Sequence, residues 1–100
     1  MAYATGQTIY EQVVSVDQSN TPISGATFDT VLYKDGAASA ISVTTSLYDA
    51  TRAIFAVSFV PDDYGLYQLY MKNSLTDVIF ISDIYDVSSA GTLANIYVGL

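Results

Sequence analysis

The residues with which this chain of 100 could do chemistry are ten carboxylates and nine tyrosines, because it contains neither His nor Cys. Without imidazole there is no Ser-His-Asp triad, no His-ligated zinc and no proton shuttle near neutral pH. Without thiols there are no disulfides, thiol nucleophiles or thiolate metal sites, so packing alone must hold the fold in any redox compartment. Among the acids, Asp62-Asp63 with Asp17 or Asp86 could form the carboxylate pair of a glycosidase, which sets two acids a fixed distance apart across a cleft. The same acids could hold Ca²⁺, which takes six to eight oxygens from loops. Against both stand the missing Asp-x-Asp-x-Asp spacing, the position of Asp62-Asp63 in a turn beside Pro61, and a chain too short to wall a deep cleft. The blander assignment makes Asp63 a corner residue and Asp62 a solvated turn charge. No catalytic residue, metal ligand or cofactor is therefore assigned, and the chain is expected not to be an enzyme.

The tyrosines offer binding rather than catalysis. A Tyr ring joins a flat apolar face to a hydroxyl, which suits sugar stacking and protein interfaces alike, and Tyr is also a good filler of half-buried strand positions. Tyr33, Tyr48, Tyr64 and Tyr70 are the candidates for exposed contact residues. Three Lys plus Arg against ten Asp plus Glu leave a net charge of −7, which repels phosphate backbones and anionic lipid. Neither nucleic acid nor a membrane surface is an expected partner. Met1 to Gly6 carry no basic stretch followed by a long apolar run, and a free-standing small protein is expected.

The elements that must position these side chains read as strands. With 51% hydrophobic residues, 100 residues suffice for one core, hiding roughly 60–70% of the unfolded surface. β-branched and aromatic residues recur in short runs between Gly, Pro, Asn, Asp and Ser, and no window sustains helical spacing beyond two turns. The run Thr8 to Asp17 places Tyr10, Val14 and Val16 on one face, with Gln12 as a polar interruption. Gln18 to Gly25 turns the chain. Phe28, Thr30 and Leu32 then alternate with Asp29, Val31 and Tyr33, making Phe28 and Leu32 core candidates. Lys34-Asp35-Gly36 predicts a tight turn with left-handed dihedrals. Ile41 to Thr44 is a weaker strand expected at a sheet edge, and Ser46 to Arg52 reads as a loop. Phe55, Val57 and Phe59 form the clearest alternation. After Pro61 to Gly65 breaks it, Tyr67, Leu69 and Met71 point one way while Gln68, Tyr70 and Lys72 point the other. Asn73-Ser74 is a turn, the Val, Ile and Phe-rich run Asp77 to Val87 belongs in the sandwich, and Ser88 to Gly91 loosens the chain. Six strands at this spacing predict a two-sheet β-sandwich.

Asp63-Tyr64-Gly65-Leu66-Tyr67 has the Asp-x-Gly-x-Tyr form of the tyrosine corner and resembles that motif of immunoglobulin-like domains. Gly65 would allow the corner, and a buried Tyr67 would present its hydroxyl to a backbone group. Leu69 stands where disulfide-bonded relatives of that class place a Cys, and there is no Trp. Phe55 to Pro61, Gly65 to Tyr67 and Ser82 to Tyr85, with the upstream loop Thr21-Pro22-Ile23-Ser24-Gly25-Ala26, resemble filamin-type and bacterial or phage immunoglobulin-like repeats over most of residues 8–87. The resemblance implies an all-β, immunoglobulin-like antiparallel β-sandwich of about seven strands over residues 1–87. Residues 88–100 would then be a linker and a terminal strand or exchange arm, in which Ile96, Val98 and Leu100 alternate with Asn95, Tyr97 and Gly99. That segment could pair within its own sheet or add to a neighbour's edge, so Ile96, Tyr97, Val98 and Leu100 join the candidate interface residues.

Free-standing domains of this kind resemble accessory structural proteins of tailed-bacteriophage virions. The resemblance implies a head decoration, neck or tail component, made in the host cytoplasm and resident in the virion, whose partners are capsid, neck or tail proteins or copies of itself. The alternative is a carbohydrate-binding or adhesin-like module that uses Tyr faces. Architecture alone does not choose between them.

Overall fold

The computed structural model describes residues 2–89, which form an all-β sandwich. The strands are β1 (Ala2–Tyr3), β2 (Ile9–Val14), β3 (Phe28–Lys34), β4 (Ala37–Ala38), β5 (Thr44–Asp49), β6 (Ile54–Phe59), β7 (Gly65–Asn73), β8 (Ile79–Ile81) and β9 (Tyr85–Val87). Six of them make one sheet in the order β1-β9-β7-β3-β4, with β8 also pairing β7; the other three make a second sheet in the order β2-β6-β5. Every pair is antiparallel except β1 with β9.

Alternation decides which side of each strand is inside. Val57 and Phe59 on β6 face Tyr67, Leu69 and Met71 on β7, with Leu32, Ile9, Val13, Tyr85 and Val87 completing the buried cluster and Phe28 packed at its margin. Phe59 lies between two rings, 6.0 Å from Tyr67 and 5.7 Å from Tyr85, and Phe28 meets Phe55 edge-on at 5.1 Å. These separations suit attractive aromatic contacts. Asn73, also buried, joins the layers at one end: its amide donates to the Ser15 hydroxyl at 2.9 Å, while its carbonyl oxygen accepts from Leu75 and Thr76.

Three expectations need correction. On β2 the inward residues are Ile9 and Val13, whereas Tyr10 is 73% exposed and Val14 lies on the outer side with it. The Ile9↔Phe59 and Val13↔Phe55 register imposes this, and it carries Glu11 inward, where the Tyr85 hydroxyl donates to its carboxylate. The edge strand runs over Thr44–Asp49 rather than 41–44, so most of the segment read as a loop is strand. Ile41 and Val43 instead pack on the core margin ahead of it, and the turn falls later, where Asp49 accepts from the Thr51 and Arg52 amides and from the Arg52 guanidinium at 2.8 Å. Finally, the run 77–87 is split into β8 and β9. Between them the Ser82 hydroxyl accepts the Leu69 N–H at 2.9 Å, so a side chain takes the place of a ladder carbonyl and the chain bulges outward.

Candidate docking face

The corner that sets β7 against the core is formed by Asp63 to Tyr67. Tyr67 is 0% exposed, and its hydroxyl donates to the Asp63 carbonyl at 3.0 Å. Burial raises the Tyr67 phenol above its ordinary pKa. The Asp63 carboxylate accepts the Tyr64 N–H at 2.8 Å and lies 3.5 Å from the Lys34 ammonium; these contacts, the Tyr64 amide first, hold its pKa below the usual aspartate value. Gly65 acts through space rather than through a left-handed φ, since an added Cβ would come within 2.9 Å of Lys34 Cε and 3.1 Å of Asp35 Oδ2. The tight turn beside it has φ of 51° at Asp35 and 84° at Gly36. Asp35 extends the ladder past β3: its N–H donates to the Leu66 carbonyl at 2.8 Å, and its carboxylate accepts the Leu66 N–H at 2.9 Å.

With Tyr67, Leu69 and Met71 committed inward, the intervening residues of β7 must face out. Leu66, Gln68 and Tyr70 do so, and register aligns them with neighbours of similar character: Val31↔Tyr70↔Ile81 form one row and Tyr33↔Gln68 the next. Ile79 extends the patch beside Lys72, which lies opposite Asp29. The Ser82 bulge throws Ile84 outward to 60% exposure. Together these residues leave an aliphatic and tyrosyl surface across the middle of the larger sheet, with charges at its ends. At one side it dips into a concavity of about 360 Å³ lined by Tyr33, Asp35, Gly36, Leu66, Gln68 and Ile84. Gln68 is held across this dip by its amide donating to the Ser82 carbonyl at 3.0 Å.

The four tyrosines singled out in the sequence do not converge. Tyr33 and Tyr70 share the outer face of the larger sheet, Tyr48 stands on β5 in the other sheet, and Tyr64 is exposed at the corner. Tyr10, the most exposed of the large apolar side chains among the described residues, was hidden by the reversed face of β2. Leu66, Ile81 and Ile84 were also missed. The position of Leu66 in the clear alternation of β7 signals its outward direction, whereas nothing local marks Ile84 before the bulge is known. Ile96, Tyr97, Val98 and Leu100 lie outside the described residues.

The acids do not assemble into a reactive pair. Asp17 follows the far end of β2 and caps its own loop through the Ser19 and Thr21 amides, whereas Asp62 and Asp63 sit in the corner after β6 at the opposite end of the sandwich. Asp86 lies opposite Leu66 on the outer face. No group of three or more His, Cys, Asp or Glu able to hold a metal occurs among the described residues. The exposed apolar sheet face can bind by desolvation. Comparison of the chain with protein-family models, with curated proteins and with solved structures gave no match.

Proposed function

We propose that this chain is a non-enzymatic structural protein with an immunoglobulin-like fold, which docks onto a larger symmetric assembly through the outer face of its six-stranded sheet. The observation that carries the reading is that face itself: Val31, Tyr33, Leu66, Tyr70, Ile79, Ile81 and Ile84 lie together on it, and Leu66, Ile79, Ile81 and Ile84 are each exposed over half or more of their surface. Contiguous exposed apolar surface marks interaction sites more often than it marks a free monomer. The immunoglobulin-like reading rests on three features: a β2-β6-β5 sheet facing a β9-β7-β3-β4 sheet, β1 parallel to β9, and the Tyr67-to-Asp63 corner bond four residues upstream.

The assembly favoured is a tailed-bacteriophage particle, where the chain would serve as a head decoration, neck or tail part. A preformed sandwich loses little backbone freedom on docking, so modest contact per copy, repeated around a symmetric particle, holds it by multivalency. The net charge of −7 keeps free copies apart and steers them toward basic surface. The test is mass spectrometry of purified particles from the source. The chain is expected in a fixed ratio to the major shell or tail protein, and its absence from all particle fractions would overturn the phage reading.

The concavity beside Tyr33 supports a second reading, a carbohydrate-binding module, because it sets an aromatic side chain next to the polar groups of Gln68 and Asp35. A glycan array with the isolated chain separates the two. Specific binding that is lost in Tyr33→Ala favours the sugar reading, and silence removes it.

A further inference from the structure

Near the corner, pairing sets the outward side chains of the larger sheet in two rows. Tyr33 lies opposite Gln68, and Ile84, next to the Tyr85 that pairs with Tyr67, falls on the other side of Gln68. In the next row Asp35 flanks Leu66 on one side, through the bond from its N–H to the Leu66 carbonyl at 2.8 Å, and Asp86 flanks it on the other. All of these but Asp86 line the concavity of about 360 Å³. Its walls are thus the Tyr33 ring, two aliphatic side chains, an amide and a carboxylate.

The carboxylates of these rows are unbalanced. The chain has three basic side chains, and each serves an acid elsewhere: Lys34 lies 3.5 Å from Asp63, Arg52 lies 2.8 Å from Asp49, and Lys72 lies 3.5 Å from Asp77. Among the described residues neither Asp35 nor Asp86 has a basic partner. Asp35 Oδ1 accepts the Leu66 N–H at 2.9 Å, whereas Oδ2 accepts no hydrogen bond from the described residues. A carbonyl only accepts, so the Ser82 carbonyl must face the Gln68 NH₂ group, and Gln68 Oε1 is left with no donor among them either. The concavity therefore joins apolar walls to two open acceptors and a negative charge.

We propose that this concavity receives an arginine side chain from a basic surface of the docking partner, which rests on the reading that the chain docks through this face. Asp35 and Gln68 are diagonal neighbours across the extended β3–β7 ladder, about 7–8 Å apart at the backbone and so within reach of one ligand group. A guanidinium carries its N–H donors in a planar fork and can give some to Asp35 Oδ2 and others to Gln68 Oε1. Its stem lies along Leu66 and Ile84, and Tyr33 supplies an aromatic face for the cation. Lysine fits less well, because its compact, strongly hydrated ammonium brings no fork to two separated acceptors. A neutral sugar gains nothing from the unbalanced charge, to which Asp86 adds at the margin.

The experiment uses the full chain and has two arms. In the first, amide chemical shifts are followed by NMR as the peptide acetyl-Gly-Arg-Leu-Gly-amide is added, with lysine and citrulline versions as controls. Saturable shifts are expected at Tyr33, Gly36, Leu66, Gln68 and Ile84 with arginine. The lysine peptide should bind about threefold or more weaker, and the citrulline peptide, which keeps the shape without the charge, should not bind. Asp35→Asn keeps an acceptor for the Leu66 N–H and suits the φ of 51°, so the fold should hold while arginine binding falls about tenfold or more. Asp86→Asn should weaken it about twofold and flatten its salt dependence. No saturable shift at these residues, equal binding by citrulline, or unchanged binding in Asp35→Asn overturns the proposal. So does a sugar that shifts the same amides when the arginine peptide does not. In the second arm, binding to purified particles is compared between the chain and Asp35→Asn, and the variant is expected to bind about tenfold more weakly. Equal particle binding overturns the arginine proposal and leaves the docking reading standing. Arginine-peptide binding at the concavity without any particle binding overturns the docking reading and leaves the arginine site standing.

Discussion

The two outer faces of the sandwich are both solvent-facing sheet surfaces, yet they are built from different residues. On the smaller sheet the outward rows are Tyr10, Gln12 and Val14 on β2, Ile54, Ala56 and Ser58 on β6, and Thr44 and Ser46 on β5. Most of these are small or hydroxylated; the aliphatic pair Val14↔Ile54 sits at one end of the face, and Tyr10 at the other. The larger sheet instead aligns Val31, Tyr70 and Ile81 in one row and flanks it with Leu66, Tyr33, Ile79 and Ile84. Strand propensity cannot explain the difference, since Thr, Val and Tyr serve both surfaces equally well. The proposed partner, by removing water from one of them, would account for it. Under the proposed docking, the smaller sheet is the face against which the larger one is to be compared.

That comparison presupposes that both faces hang on one core, and the largest effect tests this. Leu69→Ala, buried directly behind the proposed docking face, should cost about 2–5 kcal/mol in denaturant unfolding. Its outward neighbour Tyr70→Ser should cost far less. Equal losses would mean that the outer face is itself covered by this chain. Next in size, Ile81→Lys with Ile84→Lys should weaken binding to particles by about 30-fold or more, the cost of losing a central apolar anchor. The matched pair Tyr10→Lys with Val14→Lys should change binding less than threefold and sharpen the contrast. A reversed result would move the docking site to the smaller sheet.

A smaller effect is expected at the corner. Tyr67→Phe keeps the ring packed but leaves the Asp63 carbonyl without its donor, for a loss of about 1 kcal/mol in urea titration. The smallest effects are those of pH. Asp63 at the corner and Asp49 beside the smaller sheet both have lowered folded pKa values, so their contribution is complete above the ordinary aspartate value near 3.8 and is lost as pH falls through the folded values. Asp63 is exposed and Asp49 keeps one side open to solvent, so the acid slope should be shallow, and Asp63→Asn and Asp49→Asn should each flatten part of it. On the alkaline side, burial raises the Tyr67 phenol; it raises Tyr85 too, with the Glu11 contact adding to it. Their contribution is complete below the unfolded value of 10.0 and is lost as pH rises above it. Stability measured from pH 8 to 11.5 should therefore fall only beyond about pH 10.

How much of this was legible in the sequence follows the same division between core and margin. Phe55 to Phe59 and Tyr67 to Met71 face protein on one side and solvent or half-burial on the other, so period two appears without interruption and fixes strand, face and corner together. The turn at Asp35-Gly36 was equally plain, because few other residue pairs accept positive φ at both positions. The margins obscured the signal. β2 misled because a Glu occupies an inward position, made tolerable only by Tyr85, which is far away in sequence. β5 misled because an edge strand with both faces exposed shows no alternation at all. Ser82 looked like one more polar residue in an apolar run, although its hydroxyl creates the break that exposes Ile84. The proposed docking face was visible only through Tyr33 and Tyr70. Its aliphatic members became a patch once β8 was registered against β7.

The central claim is that the outer face of the larger sheet, and not that of the smaller, is covered in the assembly. Hydroxyl-radical footprinting of the chain free in solution and bound to purified particles tests it directly. The account predicts that Tyr33, Leu66, Tyr70 and Ile81 lose reactivity on binding while Tyr10 keeps it; protection of Tyr10 with undiminished labelling of Leu66 and Ile81 would contradict it.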